Sequence, residues 1–588
     1  MSYQLILSSY QDFEDEKNIL LLGDWCLSPQ DIENKKNFKI CKPYGLEKNK
    51  IVSDFFTCEK LFNSLIEDLR PELNQLHNIN FSIRAWKIFL GPWLKRYVRL
   101  FFNRYHTLKQ ALENNKIDKV FIGDYNNYDF SSKDTKELYR ASIFPEWDYM
   151  FFSRILDQID SKIIESHKLQ AKNEFNKNYE KDINPIYGKN FFFKTFYFFS
   201  KLICNINKSN SVFLKETYLR TINDVYLQLK LNQIPVLWEN PIINYPKRNI
   251  EIRKKIKIIR NENSKLEELI RKYIPLDLPT YAIEGLESIK KKNEFLKWPK
   301  KPKSIYTANS FWGDEIFKYY VAKNVDSGSK YFVGQHGNSY GTRFSHDHSI
   351  EYVTCDKFIT WGHKFNLKEI SLANFCPVIK SKKYNQDGGL LIVNRGRPVR
   401  TRTYDRQNIF INYCKDIKKI VEKLPQGIKN MATIRNRPSS ESENKNSNNY
   451  YAFLDKIDGI KISAEDEKIT NLIKKNRLIL FTFYSSGFLE CLTKNIPTLC
   501  FDKEFLNLLK TEVQEDFNVL LESQLVFNDE EKLLEFVSLN WKKIDKWWCS
   551  EQLQDRRKFF VDKYCKVGNF NNLDKLAKNL KLKILTDK

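Results

Sequence analysis

Three strand-like segments end in residues that could hold or move charge. Residues 478–501 read LILFTFYSSGFLECLTKNIPTLCF: an apolar run, a Tyr484-Ser485-Ser486-Gly487 turn, a short helical stretch and a second apolar run. A helix that starts at such a turn presents unpaired backbone N–H groups and the positive end of its dipole, which suits a phosphate or diphosphate. Ser486 is the expected N-cap, and Gly487 permits close backbone approach. Glu490, one turn on, would either reach a ribose hydroxyl of a bound nucleotide or complete a capping box.

The second segment, 333–362, reads VGQHGNSYGTRFSHDHSIEYVTCDKFITWG. Gln335, His336 and Gly337 follow an apolar run directly, so His336 is a candidate base or phosphate donor; a structural histidine is the competing reading. His346-Asp347-His348 invites a metal reading, but no further ligand is fixed by spacing, and no metal site is expected. In the third segment, LLIVNRGRPVRTRTYDR, Arg395, Arg397, Arg400, Arg402 and Arg406 follow a run, and Arg435 and Arg437 end another. Guanidinium groups at strand ends suit a diphosphate or carboxylate.

The elements that must position these groups are strands alternating with helices. Near the N-terminus YQLILSS and NILLLGDWC read as strands, the second ending in the turn Gly23-Asp24-Trp25. Helical spacing runs through 52–70 and 81–114, with a break expected at Gly91-Pro92. VFIG at 120–123 reads as a strand, and 145–180 as helical. From 304 on, SIYTANSF, KYFVGQHG, CDKFITWG, GLLIVNRG, NMATIRNR, LILFTFYSSG and IPTLCF are short apolar runs, several separated by helical tracts. That alternation predicts an α/β chain with mainly parallel sheet, in which ligands bind beyond the carboxyl ends of the strands. Residues 248–300, dense in Lys, Arg and Glu, read as solvated helix with a Pro-broken connection.

At 588 residues and 42% hydrophobic, the chain is too long for a single-core miniprotein and too apolar for wholesale disorder. The formal net charge of +24 would suit nucleic acid, anionic lipid or an anionic substrate. Basic and acidic residues are interspersed, however, so much of that charge reads as solvated surface. None of the 11 cysteines forms a C-x-x-C pair, which predicts reduced, mostly buried thiols in a cytoplasmic protein. No signal peptide or membrane span is expected. Residues 188–208, GKNFFFKTFYFFSKLICNINK, read either as buried aromatic core or as an interfacial helix on an anionic membrane.

LLGDWC, WKIFLGPWL, GQHGNSYG followed by DKFITWG, and YSSGFLECLTKNIPTLCF stand in the order found in a transferase family of O-antigen and surface-polysaccharide gene clusters. The chain resembles that family over roughly residues 18–570. The resemblance implies a GT-B-like glycosyltransferase: two Rossmann-like domains facing across a cleft, with a large helical elaboration of the N-terminal half. The implied division is an acceptor-side domain over 1–375 with an insertion at about 140–300, a nucleotide-sugar domain over 376–545, and C-terminal helices over 546–588 that cross back. Ser485, Ser486 and Gly487 would hold donor phosphate, with Glu490 on the ribose or the leaving group. Gln335, His336 and Gly337 would line the cleft and Asp24 the acceptor side. His363 stands where that family usually has another aromatic residue.

Arg395 and Arg435 join the phosphate-binding set, and Asp24 and His336 are the candidate bases. The implied reaction is metal-independent transfer from a nucleotide-sugar, with a CMP-activated ulosonic acid as one donor, to a lipopolysaccharide, O-antigen or other surface-polysaccharide acceptor. The expected location is the cytoplasm, with peripheral contact at the inner membrane face. The alternatives are a polyol-phosphate or other phospho-group transferase, a polysaccharide-binding scaffold, and a basic nucleic-acid-binding protein. The last would need aromatics alternating with Lys and Arg, which the aromatic run lacks.

Overall fold

The computed structural model describes residues 2–11, 18–27, 38–166, 212–238, 241–258, 264–375, 385–396, 400–436 and 457–581. The aromatic run at 188–208 lies outside them, as do Arg397 and Arg437. Three sheets organise the described chain, and every strand pairing within them is parallel.

The first sheet holds β1 (Tyr3–Ile6), β2 (Ile19–Leu21), β3 (Lys39–Ile40), β4 (Ile117–Ile122) and β5 (Ile164–Ser166), in the order β3-β2-β1-β4-β5. The second holds β6 (Val212–Lys215), β7 (Ser304–Thr307), β8 (Lys330–Gly334), β9 (Lys357–Thr360) and β10 (Glu369–Ser371), in the order β10-β9-β8-β7-β6. The third holds β11 (Gly389–Val393), β12 (Ala432–Arg435), β13 (Lys461–Ile462), β14 (Asn476–Phe481), β15 (Thr498–Phe501) and β16 (Val526–Phe527), in the order β13-β12-β11-β14-β15-β16. The α/β class with parallel sheet is therefore as the alternation indicates. The range 1–375, expected to hold one Rossmann-like unit, contains two sheets.

Several strands, such as β2, β11 and β16, carry no charged residue because both faces are covered. Every residue of β2, β7 and β15 is buried. In the third sheet, helix Gln407–Lys423 covers one face together with helix Glu530–Asn540, and helices Ser486–Thr493, Gln514–Glu522 and Glu551–Tyr564 cover the other. β11 and β14 lie side by side at the point where the strand order reverses, which is where such sheets open a crevice at their carboxyl ends.

Between the sheets runs a helical core rich in aromatics. Helices Lys48–His77, Ile83–Phe89 and Gly91–Asn114 bury Trp86, Phe89, Trp93, Tyr97 and Phe101. The break falls at Leu90, with Pro92 in the first turn of the new helix where its missing N–H is harmless.

Two helical expectations change. In the tract at 145–180, of which residues 145–166 are described, the α-helix runs over Pro145–Ile159 and β5 follows a short 3-10 turn. Residues 248–300 are solvated on one side only: helix Lys265–Asp277 buries Leu266, Leu269, Ile270 and Ile274. Its charges are matched from far away in sequence. Arg271 pairs with Asp68 at 2.8 Å, and Asp277 holds Arg154 at 2.6 and 2.9 Å while accepting from Tyr97. Arg253 pairs with Glu284 at 2.7 Å.

The C-terminal helices divide between units. Helix Glu551–Tyr564 stays on the third sheet through Leu553, Phe560 and Val561. The chain then crosses at Lys566, whose N–H donates to the Trp361 carbonyl at 2.8 Å. Helix Phe570–Lys581 packs Leu576 and Leu580 onto the second sheet. Among the described residues no helix is long and apolar enough to cross a membrane, and the nine cysteines described are unbonded, eight of them buried.

Candidate functional site

The carboxyl ends of β11 and β14 are tied by a small polar network. Tyr413, from helix Gln407–Lys423, shares a hydrogen bond with Thr482, just past β14, and accepts one from the Arg395 N–H at 3.1 Å. Thr482 donates to the Val393 carbonyl at 3.0 Å. The Arg395 guanidinium lies 4.6 Å from the centre of the Tyr413 ring. Together with Asn412, Thr482, Asp502 and Lys503 these residues line a cavity of about 410 Å³. Arg435 ends β12 in register with Val393, so two of the arginines singled out in the sequence share one sheet edge. Its Nε is buried without a hydrogen-bond partner among the described residues, and desolvation lowers its pKa against the pull of Glu467.

The turn after β14 differs from expectation by one residue. Ser485, in extended backbone at φ −136°, is the N-cap: its hydroxyl accepts from the Phe488 N–H at 3.3 Å. Ser486 and Gly487 are the first two helical residues, whose N–H groups have no partner within a helix. A Cβ on Gly487 would stand 2.8 Å from the Phe481 ring, so the glycine lets the helix settle on the last residue of β14. Glu490 is buried at the fifth helical position, which excludes the capping box. It lies near Cys565, a thiol that burial pushes up to about 11.

Gln335 explains why two motifs occur together. Its side-chain oxygen accepts from the Trp361 N–H at 2.8 Å, and its amide nitrogen donates to the Gly337 carbonyl at 2.8 Å. The amide thus clamps the turn after β8 to the end of β9. A Cβ on Gly337 would meet nothing within 4 Å.

His336 is half-buried among Tyr218, Phe311 and Tyr340. The Tyr340 hydroxyl donates to Glu351 at 2.5 Å and stands 3.3 Å from His336 Nδ1. The phenol has one proton, and the carboxylate takes it, so the Tyr340 oxygen can only accept from His336. That fixes the imidazole proton on Nδ1 and leaves Nε2 with a free lone pair. Desolvation lowers the His336 pKa, with Glu351 opposing, which keeps the ring neutral. Tyr340 and Glu351, which sequence reasoning missed, therefore orient the His336 ring.

The two loops meet. Asn338, two residues past His336, donates its side-chain N–H to the Tyr484 carbonyl at 3.1 Å. Gly341 turns the same loop at φ +70°, and a Cβ there would stand 2.2 Å from His363 Nε2. His363 is buried and stacked on Phe365, with burial pushing its pKa down to about 4. It packs as one more aromatic ring.

Asp24 stands elsewhere, buried at the carboxyl end of β2. Beside it Trp25 stacks on Phe152 and receives the Arg400 guanidinium 3.5 Å from its ring centre. Arg400 also pairs with Asp148, as does Arg104 at 2.8 Å. Arg400 is thus a latch between the third unit and the first, not a phosphate ligand like those expected of its neighbours. The His346, Asp347 and His348 side chains diverge, to Tyr340, Lys510 and Phe55. Among the described residues no three His, Cys, Asp or Glu side chains gather as a metal site.

A model of the family described as LIC12162 family transferase matches residues 3–580. No curated protein matches the chain. Among solved structures, Staphylococcus aureus MnaA with UDP is 12% identical, covering 63% of this chain and 96% of that one at a TM-score of 0.35. HepE from Anabaena in complex with UDP and glucose is 9% identical, covering 63% and 100%, TM-score 0.34. MurG from Acinetobacter baumannii is 10% identical, covering 63% and 99%, TM-score 0.31.

Proposed function

The chain belongs to the LIC12162 family of transferases, and from that premise we propose that it moves a glycosyl group from a nucleotide-sugar to an acceptor hydroxyl. The observation that carries this reading is the Asn338–Tyr484 hydrogen bond, which holds the His336 loop against the helix start at Ser485. A base and an anion cradle then face one space. The acceptor O–H gives its proton to His336 Nε2 as its oxygen bonds to the anomeric carbon, and the bond from that carbon to the donor phosphate breaks. The departing negative charge falls to the first N–H groups of helix Ser486–Thr493 and to Arg395 and Arg435. These groups supply positive charge without a bound metal, which makes the reaction metal-independent in this reading. Glu490 serves the ribose side, and Gln335 and Gly337 shape the cleft. The acceptor is a surface-polysaccharide or lipopolysaccharide precursor, met at the inner membrane face.

A thermal-shift panel of CMP, UDP, GDP, dTDP and CDP tests this. One nucleotide is expected to raise Tm selectively, since ligand at 100 times Kd adds about 2.7 kcal/mol. Selection of CMP would favour an activated acidic sugar as donor, and of CDP a polyol-phosphate donor. No shift with any of the five would contradict the proposal.

A further inference from the structure

Beside the base, three segments bring arginines together. Arg99, on helix Gly91–Asn114, lies 4.8 Å from the centre of the Phe55 ring, and Phe55 packs on Phe344 at 5.1 Å, so Arg99 approaches the loop that carries Arg343. One turn further along that helix, Asn103 donates to Asp405 at 2.9 Å and Arg104 to the Arg400 carbonyl at 2.6 Å. The 400–405 segment is thereby pinned along the helix, with Arg402 within electrostatic reach of Arg99 and Arg343. Tyr340 touches both His336 and His346, at ring separations of 5.3 and 4.7 Å, so the cluster stands one ring away from the base.

The nearby carboxylates are already committed. Glu59 pairs with Arg99 and Lys95, Asp347 with Lys510, Asp54 with Lys50, and Glu351 accepts from Tyr340. Asp405 accepts from the Tyr44 N–H at 2.8 Å as well as from Asn103. Among the described residues neither Arg343 nor Arg402 has an ion pair, and Arg402 is exposed. The charges crowd one another: the protein walls around Arg402 and the charges of Arg406, Arg99 and Arg343 push its pKa down to about 10, which leaves it charged at neutral pH. His346, desolvated and facing Arg402 and Arg343, is pushed down to about 3 and stays neutral. Arg343 and Arg402, unpaired and repelled by each other and by Arg99, are charges that an anion would neutralise.

We propose that Arg99, Arg343 and Arg402 bind an anionic group, phosphate or carboxylate, carried by the substrate whose hydroxyl His336 deprotonates. The inference deepens the glycosyl-transfer reading and rests on it for the identity of that substrate. Such a group would fix the acceptor's orientation at the base, separately from the donor phosphate at Ser485.

Calorimetric titration of the full chain with inorganic phosphate, glucuronate and neutral glucose, at constant ionic strength, tests this. Phosphate or glucuronate is expected to bind and glucose not to, with the better anion naming the group. Arg402→Gln and Arg343→Gln should each weaken that binding at least about tenfold, while Tm without ligand holds or rises because repulsion is relieved. Absence of binding by both anions, or binding equal in wild type and variants, would overturn the proposal. So would loss of nucleotide binding in Arg402→Gln, which would assign the cluster to the donor. The nucleotide panel, run on the same variants, reports separately on the transferase reading.

Discussion

Replacing His336 by alanine should lower turnover by about 10²–10⁴-fold, the usual contribution of a positioned general base, with little change in nucleotide affinity. The asymmetry follows from the geometry: His336 stands on the loop after β8, in the second sheet, whereas the helix start at Ser485 and the two arginines stand on the third sheet. The pH profile supplies a second reading. Burial disfavours the imidazolium, so the pKa of His336 lies below the ordinary 6.5 and the active neutral form persists below that pH. Wild-type kcat/KM should stay flat from pH 8 through 6.5 and fall only in more acid solution. Glu351→Gln should shift that fall to still lower pH, because it removes the charge that favours the imidazolium. It should also slow the reaction, since a Tyr340 proton no longer claimed by a carboxylate can be donated to Nδ1 and move the imidazole proton to Nε2. His336→Ala with more than a tenth of wild-type turnover would remove His336 as the base.

The largest stability loss is expected at Asp148. This buried carboxylate holds both Arg104 and Arg400, and Arg400 is the latch onto Trp25. Asp148→Ala leaves two buried guanidinium groups without their counter-charge, and breaking a buried pair in this way costs about 3–5 kcal/mol. Arg400→Ala should cost less, because Asp148 keeps Arg104 and the loss is mainly packing on Trp25. Urea unfolding of the three proteins measures the order. Asp148→Ala within about 1 kcal/mol of wild type would mean that solvent already screens the cluster.

Sequence runs such as SIYT, LLIV and LILF are legible as strands because parallel sheet covered on both faces needs unbroken apolar stretches. Two-residue strands such as β3, β13 and β16 carry too short a pattern to be seen. Composition alone could not separate Arg395, at a strand end facing a cavity, from Arg400, buried against another unit five residues later. The charges of 248–300 read as solvent-facing because Asp68 and Arg154, which neutralise Arg271 and Asp277, lie more than a hundred residues away. The orientation of His336 depends on Tyr340 and Glu351, and the meeting of the two loops on a hydrogen bond spanning 146 residues, which no local pattern encodes. Ser486 reads as the N-cap from the sequence, and only the extended backbone at Ser485 moves the cap back by one residue.

The central claim is that donor phosphate is held at the carboxyl edge of the third sheet, and titration calorimetry reads it most directly. The nucleotide selected by the panel, titrated into wild type and into the Arg395→Gln, Arg435→Gln double variant, is expected to bind at least about tenfold more weakly to the variant, since hydrogen bonds to charged groups contribute about 1.5–3 kcal/mol each. Equal affinity in a folded variant would place the nucleotide elsewhere and contradict the account.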